Sequence, residues 1–131
     1  MLKELKKIIN WFERNYLISW IITILIAVFI FYMSSKTFPP GIPGVSYLSY
    51  VYHFGVYFVF SFFLLISIIR GNIKNKYLIF ISILIAIAYG ISDEIHQFFV
   101  PGRYGCYEDA LTDSIGILFA GIIYLKINFK K

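Results

Sequence analysis

Charge and cysteine are both scarce in this chain of 131 residues. Only 15% of the residues are Asp, Glu, Lys or Arg, whereas 60% are hydrophobic and 21% are aromatic. This composition excludes an ordinary small soluble domain, which carries more charge and less apolar surface. The single cysteine, Cys106, excludes an intramolecular disulfide bond.

Proline is also scarce, and three of the four prolines fall within residues 39–43. They predict an irregular loop there, because proline removes backbone donors and breaks helices. No Ala-x-Ala-like cleavage site follows the first apolar stretch. That stretch is therefore interpreted as a retained membrane span and not as a signal peptide.

Four long apolar stretches are the main feature that the chain does contain. A helix needs about 20 apolar residues to cross a hydrocarbon core of about 30 Å, and none of the four stretches has a charge at its centre. We predict an all-α protein with one domain, residues 1–131, built as a four-helix transmembrane bundle. The predicted spans are residues 17–33, 47–69, 77–97 and 111–127.

The first 16 residues have a different pattern. Leu2, Leu5, Ile9 and Phe12 recur at helical spacing, with lysines on the opposite face. This amphipathic pattern predicts a short helix that lies in the membrane interface.

The basic residues behind the net charge of +5 are distributed in a way that indicates the orientation of the protein in the membrane and not a nucleic-acid site. Ten of the twelve basic residues precede the first span, join the second span to the third, or end the chain. By the positive-inside rule, both termini are expected in the cytoplasm of a multi-pass cell-membrane protein. Five of the seven acids fall on the opposite, extracellular side. Nucleic-acid binding is therefore not expected.

Polar residues from three spans are expected to meet in one layer at that outer side. Helical rise places His53, the end of the third span and the start of the fourth at similar depths. Each residue also has a structural interpretation: His53 as a buried hydrogen-bonding group, Asp109 as a helix cap, Arg103 as an ion-pair partner. For the set as a whole, function is favoured because buried charge near hydrocarbon is costly. The set is His53, Asp93, Glu94, His96, Gln97, Arg103, Asp109 and Asp113.

Small residues predict how the helices pack. Ala86 and Gly90 in the third span, and Gly116 and Ala120 in the fourth, are each four residues apart. Small residues at this spacing let helix backbones approach closely in lipid. They predict that the third and fourth spans pack against each other.

The polar set resembles the VanZ-like family of small bacterial membrane proteins. The motifs that carry the resemblance are Asp93-Glu94-Ile95-His96-Gln97, Pro101-Gly102-Arg103, Asp109 with Gly116, and Ser34-Ser35 with Pro39 followed by His53. Asp113 stands where the family often has asparagine. The resemblance implies a role in lowering the susceptibility of Gram-positive cells to glycopeptide antibiotics, above all teicoplanin.

The chemistry of the layer has several interpretations. In a membrane enzyme acting on a lipid-linked cell-wall precursor, the catalytic candidates are Asp93, Glu94, His96 and Asp109. The binding candidates are His53, Gln97, Arg103 and Asp113, with Arg103 holding a phosphate or carboxylate. A metal held by His53, His96, Asp93 and Asp109 is a further option, although the spacing matches no established metal motif. The alternatives are a non-catalytic protein that binds or shields a membrane lipid or the antibiotic, and a small multidrug exporter. The sequence predicts neither a particular cofactor nor whether the protein catalyses a reaction.

Overall fold

The computed structural model describes residues 1–37, 45–103 and 105–129, in which all regular structure is helical. The five helices are α1 (Leu2–Arg14), α2 (Tyr16–Ser34), α3 (Val45–Ile69), α4 (Lys76–Phe98) and α5 (Tyr107–Phe129). The helices α2 to α5 are long and apolar enough to span a membrane. The predicted all-α architecture with a short N-terminal helix is thus confirmed. The predicted proline-rich loop lies mainly in residues 38–44, outside the described residues.

Local signals set the helix boundaries. The helices α1 and α2 are separated at Asn15, whose backbone leaves the helical region and whose side-chain amide donates to the carbonyl of Trp11 at 2.8 Å. The tight connection between α3 and α4 uses two residues with positive φ, Arg70 and Gly71. Asn75 then caps α4 by accepting from the backbone amide of Tyr77 at 3.1 Å.

The centre of the bundle is α3, which packs against each of the other helices and most extensively against α5. Apolar side chains near the chain termini form one core cluster around Leu65, Ile66 and Tyr124. A second cluster around Tyr57, Phe60 and Ile117 lies nearer the other end. This arrangement places the start of α3, the end of α4 and the start of α5 together.

The amphipathic helix α1, which the sequence predicts to lie in the membrane interface, packs against the bundle. Ile9 is buried in the cluster formed by α3 and α5. Tyr124 of α5 donates a hydrogen bond to the carboxylate of Glu13 at 2.6 Å. The apolar face of α1 therefore covers the ends of α3 and α5 next to the termini.

The predicted packing of the third span against the fourth, α4 against α5, is confirmed, but the small residues face two different neighbouring helices. Gly90 of α4 does face α5, since a β-carbon there would lie 3.5 Å from Asp113. Gly116 of α5, however, faces α3: its β-carbon would lie 2.6 Å from the carbonyl oxygen of Phe54. Small residues report that a backbone comes close but do not specify which helix it belongs to.

Replacing Gly116 by alanine is expected to lower the free energy of unfolding by about 1–3 kcal/mol, because the added carbon overlaps a backbone atom that can move only with α3. Gly55→Ala is the matched control, since a β-carbon at Gly55 has no neighbour within 4 Å. Denaturation in detergent micelles, followed by circular dichroism, measures both variants. Equal stability of the two variants would contradict the close approach of α3 and α5.

Candidate functional site

His53 of α3 contacts α5 at the end of the bundle away from the chain termini. Its side chain is 5% exposed. Nδ1 donates to Oδ1 of Asp113 at 2.9 Å, and Nε2 lies 3.7 Å from Oδ2 of Asp109. Asp109 and Asp113 are four residues apart on α5, which brings both carboxylates to the same face of that helix. His53 therefore lies between two carboxylates of one neighbouring helix.

Glu94 adds a third carboxylate from α4. Its Oε1 lies 4.0 Å from His53 Nδ1 and accepts a hydrogen bond from Gln97 Nε2 at 3.2 Å. Its Oε2 accepts from the backbone amide of Cys106 at 3.1 Å. Both oxygens of Glu94 are thus held in place, one by its own helix and one by the loop before α5. We call His53, Glu94, Asp109 and Asp113 the acidic cluster.

Asp113 is the most deeply buried member of the acidic cluster, at 1% exposure. Its Oδ1 binds His53, whereas its Oδ2 has no hydrogen-bond partner among the described residues. This second oxygen points toward α4, where a β-carbon on Gly90 would lie 3.5 Å from it. A buried carboxylate oxygen without a partner is costly. The site therefore contains an acceptor that the described part of the chain does not satisfy.

Asp93 and Gln97 extend the polar region along α4. Both are buried, and Gln97 Nε2 lies 3.5 Å from Oδ2 of Asp93 as well as close to Glu94. Asp93 also lies within electrostatic range of Tyr52 and Tyr57 of α3. Gln97 consequently links the carboxylates of Asp93 and Glu94, which would otherwise repel each other.

His96 lies elsewhere, against α2. Its Nε2 is 3.0 Å from the hydroxyl of Ser35, and its ring stacks on Phe31 with centroids 4.7 Å apart. The prediction that His96 lies in one polar layer with His53 is therefore corrected. His96 and Gln97 are consecutive on a helix and point about 100° apart, so Gln97 faces the acidic cluster and His96 faces α2.

The connection between α4 and α5 carries the other polar candidates. Arg103 is half-buried, follows Gly102 with its positive φ, and lies within electrostatic range of Tyr52. The thiol of Cys106 donates to the exposed carboxylate of Glu108 at 3.0 Å. Burial, together with this hydrogen bond, raises the pKa of the Cys106 thiol. Glu108 faces outward and takes no part in the acidic cluster.

The structure thus brings together His53, Glu94, Asp109 and Asp113, with Asp93 and Gln97 beside them. It separates His96 from them and places Arg103 near the α3 side of the same end. Sequence reasoning missed the backbone amide of Cys106 as a partner of Glu94, and Ser35 as a partner of His96. A backbone donor leaves no signal in residue identity. The contact of His96 with Ser35 could have been predicted from the sequence, because Ser35 follows the first predicted span and His96 ends the third, at the same side of the membrane.

Two kinds of chemistry fit this geometry. Asp113 fixes the imidazole of His53 through Nδ1, which leaves Nε2 to exchange a proton with a ligand. Alternatively, His53, Glu94 and Asp113 each offer one ligand atom for a metal ion, and these atoms lie within 4.8 Å of one another. Both uses require the positions of α3, α4 and α5 that are observed.

The comparisons with known proteins give one match. A family model described as VanZ/LLP1 matches residues 16–129, which run from the start of α2 to the end of α5. No curated protein and no solved structure matches the chain. The matched region contains every residue of the acidic cluster and all four candidate membrane spans. The chain therefore belongs to the VanZ/LLP1 family.

Proposed function

We propose that this membrane protein binds the anionic headgroup of a lipid-linked cell-envelope molecule, or acts on it, and thereby lowers susceptibility to teicoplanin. The observation that carries the proposal is the burial of His53, Glu94 and Asp113 against one another at one end of the bundle. Ionisable groups at membrane depth are costly and are usually kept for a substrate or ion. The two apolar clusters of the bundle are formed by other residues.

The proposed orientation puts the acidic cluster on the extracellular side. The basic residues at the two ends of the chain and in the connection between α3 and α4 favour a cytoplasmic location for those segments. The acidic cluster lies at the opposite ends of the helices. Glycopeptide antibiotics and lipid-linked precursors meet at the outer face, which is where this site would be useful.

A groove between α2 and α3 supports a lipid as the ligand. Its volume is ≈ 630 Å³, and its walls include Leu25 and Phe29 of α2 and Tyr52 and Val56 of α3. Tyr52 is adjacent to His53 and lies within electrostatic range of Asp93 and Arg103. A hydrocarbon chain in the groove would place its headgroup at the polar end of the bundle. We assign the groove to the chain of the same lipid.

Binding without turnover is the second candidate. In that case the site would hold or shield a headgroup, and the His53–Asp113 pair would provide hydrogen bonds and no proton transfer. Multidrug export fits less well. Exporters that are coupled to protons place carboxylates near the middle of the membrane, whereas the acids of α4 and α5 all lie at one end of those helices.

Asp109→Asn is expected to abolish the protection against teicoplanin that the wild-type protein gives a susceptible Gram-positive host. The substitution removes a charge 3.7 Å from His53 Nε2 while keeping an oxygen that can accept hydrogen bonds at the helix start. Glu108→Gln is the matched control, one residue away and exposed, and should protect like the wild type. The measurement is the minimum inhibitory concentration at matched membrane levels of each variant. Full protection by Asp109→Asn would refute the functional role of the cluster.

The same cells test the orientation. Cys106 should react with a membrane-impermeant thiol reagent in intact cells, and cysteine introduced at Asn72 in a Cys106→Ser background should react only after the cells are opened. Labelling is done above neutral pH, because burial raises the pKa of the Cys106 thiol and slows its reaction. The reverse pattern would place the acidic cluster inside the cell and overturn the proposal.

A further inference from the structure

We propose that His53, Glu94 and Asp113 form a binding site for a first-row divalent metal ion such as Zn²⁺ or Mn²⁺. The three side chains come from three different helices, α3, α4 and α5, and all are buried. One imidazole nitrogen and two carboxylate oxygens suit these ions, since imidazole favours zinc and its neighbours and carboxylates favour manganese and magnesium.

The distances between the candidate ligand atoms fit a single ion. Two atoms that each lie ~2.1 Å from a metal are ~3.4 Å apart in a tetrahedral site, and ~3 Å (adjacent) or ~4 Å (opposite) apart in an octahedral one. His53 Nδ1 is 2.9 Å from Asp113 Oδ1 and 4.0 Å from Glu94 Oε1. An ion at this point would replace the proton that Nδ1 now shares with Asp113. The ligand atoms of all three residues lie within 4.8 Å of one another, so side-chain shifts of about an ångström would bring them around one ion.

Asp113 provides an independent indication of a ligand. It is 1% exposed, and its Oδ2 has no hydrogen-bond partner among the described residues. A buried acceptor of this kind is expected to have a partner in the native state. A cation held through both oxygens of Asp113 would satisfy Oδ2 as well as Oδ1.

The neighbouring residues match the support that metal ligands usually have. A metal-bound histidine commonly donates its other ring N–H to a carboxylate. Asp109 Oδ2 lies 3.7 Å from His53 Nε2, slightly beyond hydrogen-bond distance, and would move closer to take this role. Glu94 is oriented by Gln97 and by the backbone amide of Cys106. Asp109 is thus a positioning residue in this proposal and not a ligand.

A cation also resolves an electrostatic conflict. The acidic cluster has three carboxylates and one histidine, and Asp93 adds a fourth carboxylate nearby. These carboxylates oppose the approach of an anionic headgroup, which without a cation would be held by Arg103; a divalent ion would neutralise part of the charge and could bind the headgroup directly. This step rests on the proposed function, but the metal site itself does not.

Metal binding is tested on the intact protein, purified in detergent with an affinity tag that contains no histidine. After treatment with EDTA and removal of the chelator, the protein is equilibrated with Zn²⁺ or Mn²⁺ at graded concentrations, and bound metal is measured by mass spectrometry. We expect about one ion per chain and a rise in melting temperature with metal concentration. Mg²⁺ and Ca²⁺ should bind more weakly because of the imidazole ligand.

His53→Gln and Glu94→Gln should lower the metal affinity by at least about tenfold, and Asp109→Asn should lower it less, through the orientation of His53. His96→Gln and Glu108→Gln are the controls. His96 is the other histidine of the chain and lies against α2, and Glu108 is an exposed acid beside the cluster. Both controls should bind like the wild type.

A wild-type protein that retains no stoichiometric ion would overturn the proposal, as would undiminished binding by a folded His53→Gln variant. Circular dichroism and gel filtration without metal establish that each variant is folded. The stoichiometry of the wild type decides the question even where a variant is unstable. Because antibiotic protection is measured separately, a protein that protects without binding metal would refute only the metal site. One that binds metal without protecting would refute only the proposed function.

Discussion

Replacing Arg103 by lysine is expected to remove protection against teicoplanin as completely as replacing it by alanine. Arg103 is half-buried in the loop between α4 and α5 and lies within electrostatic range of Tyr52, which lines the groove between α2 and α3. An arginine at this place can hold a phosphate or carboxylate through two parallel hydrogen bonds. Lysine keeps the charge but lacks the planar two-pronged geometry.

Lys36 offers a matched control for this test, since it lies just after α2 at the same end of the bundle. Its ammonium group is exposed and stands 4.5 Å from the centre of the Tyr32 ring. Lys36→Ala should leave protection close to that of the wild type. Inhibitory concentrations are compared at equal amounts of protein in the membrane. If Arg103→Lys protects normally while Arg103→Ala does not, Arg103 only balances nearby acids, and recognition of an anionic ligand by its guanidinium is wrong.

The second large effect concerns stability. Asp113→Ala and His53→Ala should each lower the free energy of unfolding by about 3 kcal/mol, because each leaves the other member of a buried pair without its partner. The pair is linked at 2.9 Å, with Asp113 at 1% and His53 at 4% exposure. The double variant should cost less than the sum of the two, with a coupling of about 1–3 kcal/mol.

The four proteins of this cycle are unfolded in mixed micelles without added metal, so that only the direct pair contributes. A parallel cycle with Ser35→Ala and His96→Ala, whose hydroxyl and imidazole are 3.0 Å apart near the surface, provides the comparison and should show a coupling below about 1 kcal/mol. Additive effects of Asp113→Ala and His53→Ala would show that the buried contact does not stabilise the bundle.

The sequence predicted the helices well because their signal is local. Apolar length, charges confined to the flanks, and the amphipathic pattern of the first residues each act within one segment. The predicted spans lie inside α2, α3, α4 and α5, and the observed helices extend a few residues further at most ends. The starts of α3 and α5 show why: polar residues such as Ser46 and Asp109 continue these helices without adding hydropathy.

The membership of the acidic cluster was harder to predict because it depends on helix rotation. Counting residues along the helices predicts that His53, Glu94 and Asp113 lie at similar depths, and in the structure their side chains are close together. The direction in which each side chain points is set by packing between helices. His96 is next to Gln97 in the chain but faces Phe31 of α2 and Ser35, which directly follows α2. Its neighbour Gln97 takes the inward position instead.

The backbone contact between Gly116 and Phe54 fixes the distance between two helices that contribute to the acidic cluster. Phe54 is adjacent to His53, and Gly116 is one helical turn from Asp113, so the backbone contact and the side-chain hydrogen bond join the same two helices within one turn of each other. The close contact of α3 and α5 at Gly116 therefore sets the distance between the side chains of His53 and Asp113. A larger side chain at position 116 would push α3 and α5 apart and lengthen the contact between His53 and Asp113, so the glycine sets the geometry of this buried pair as well as the packing of the bundle.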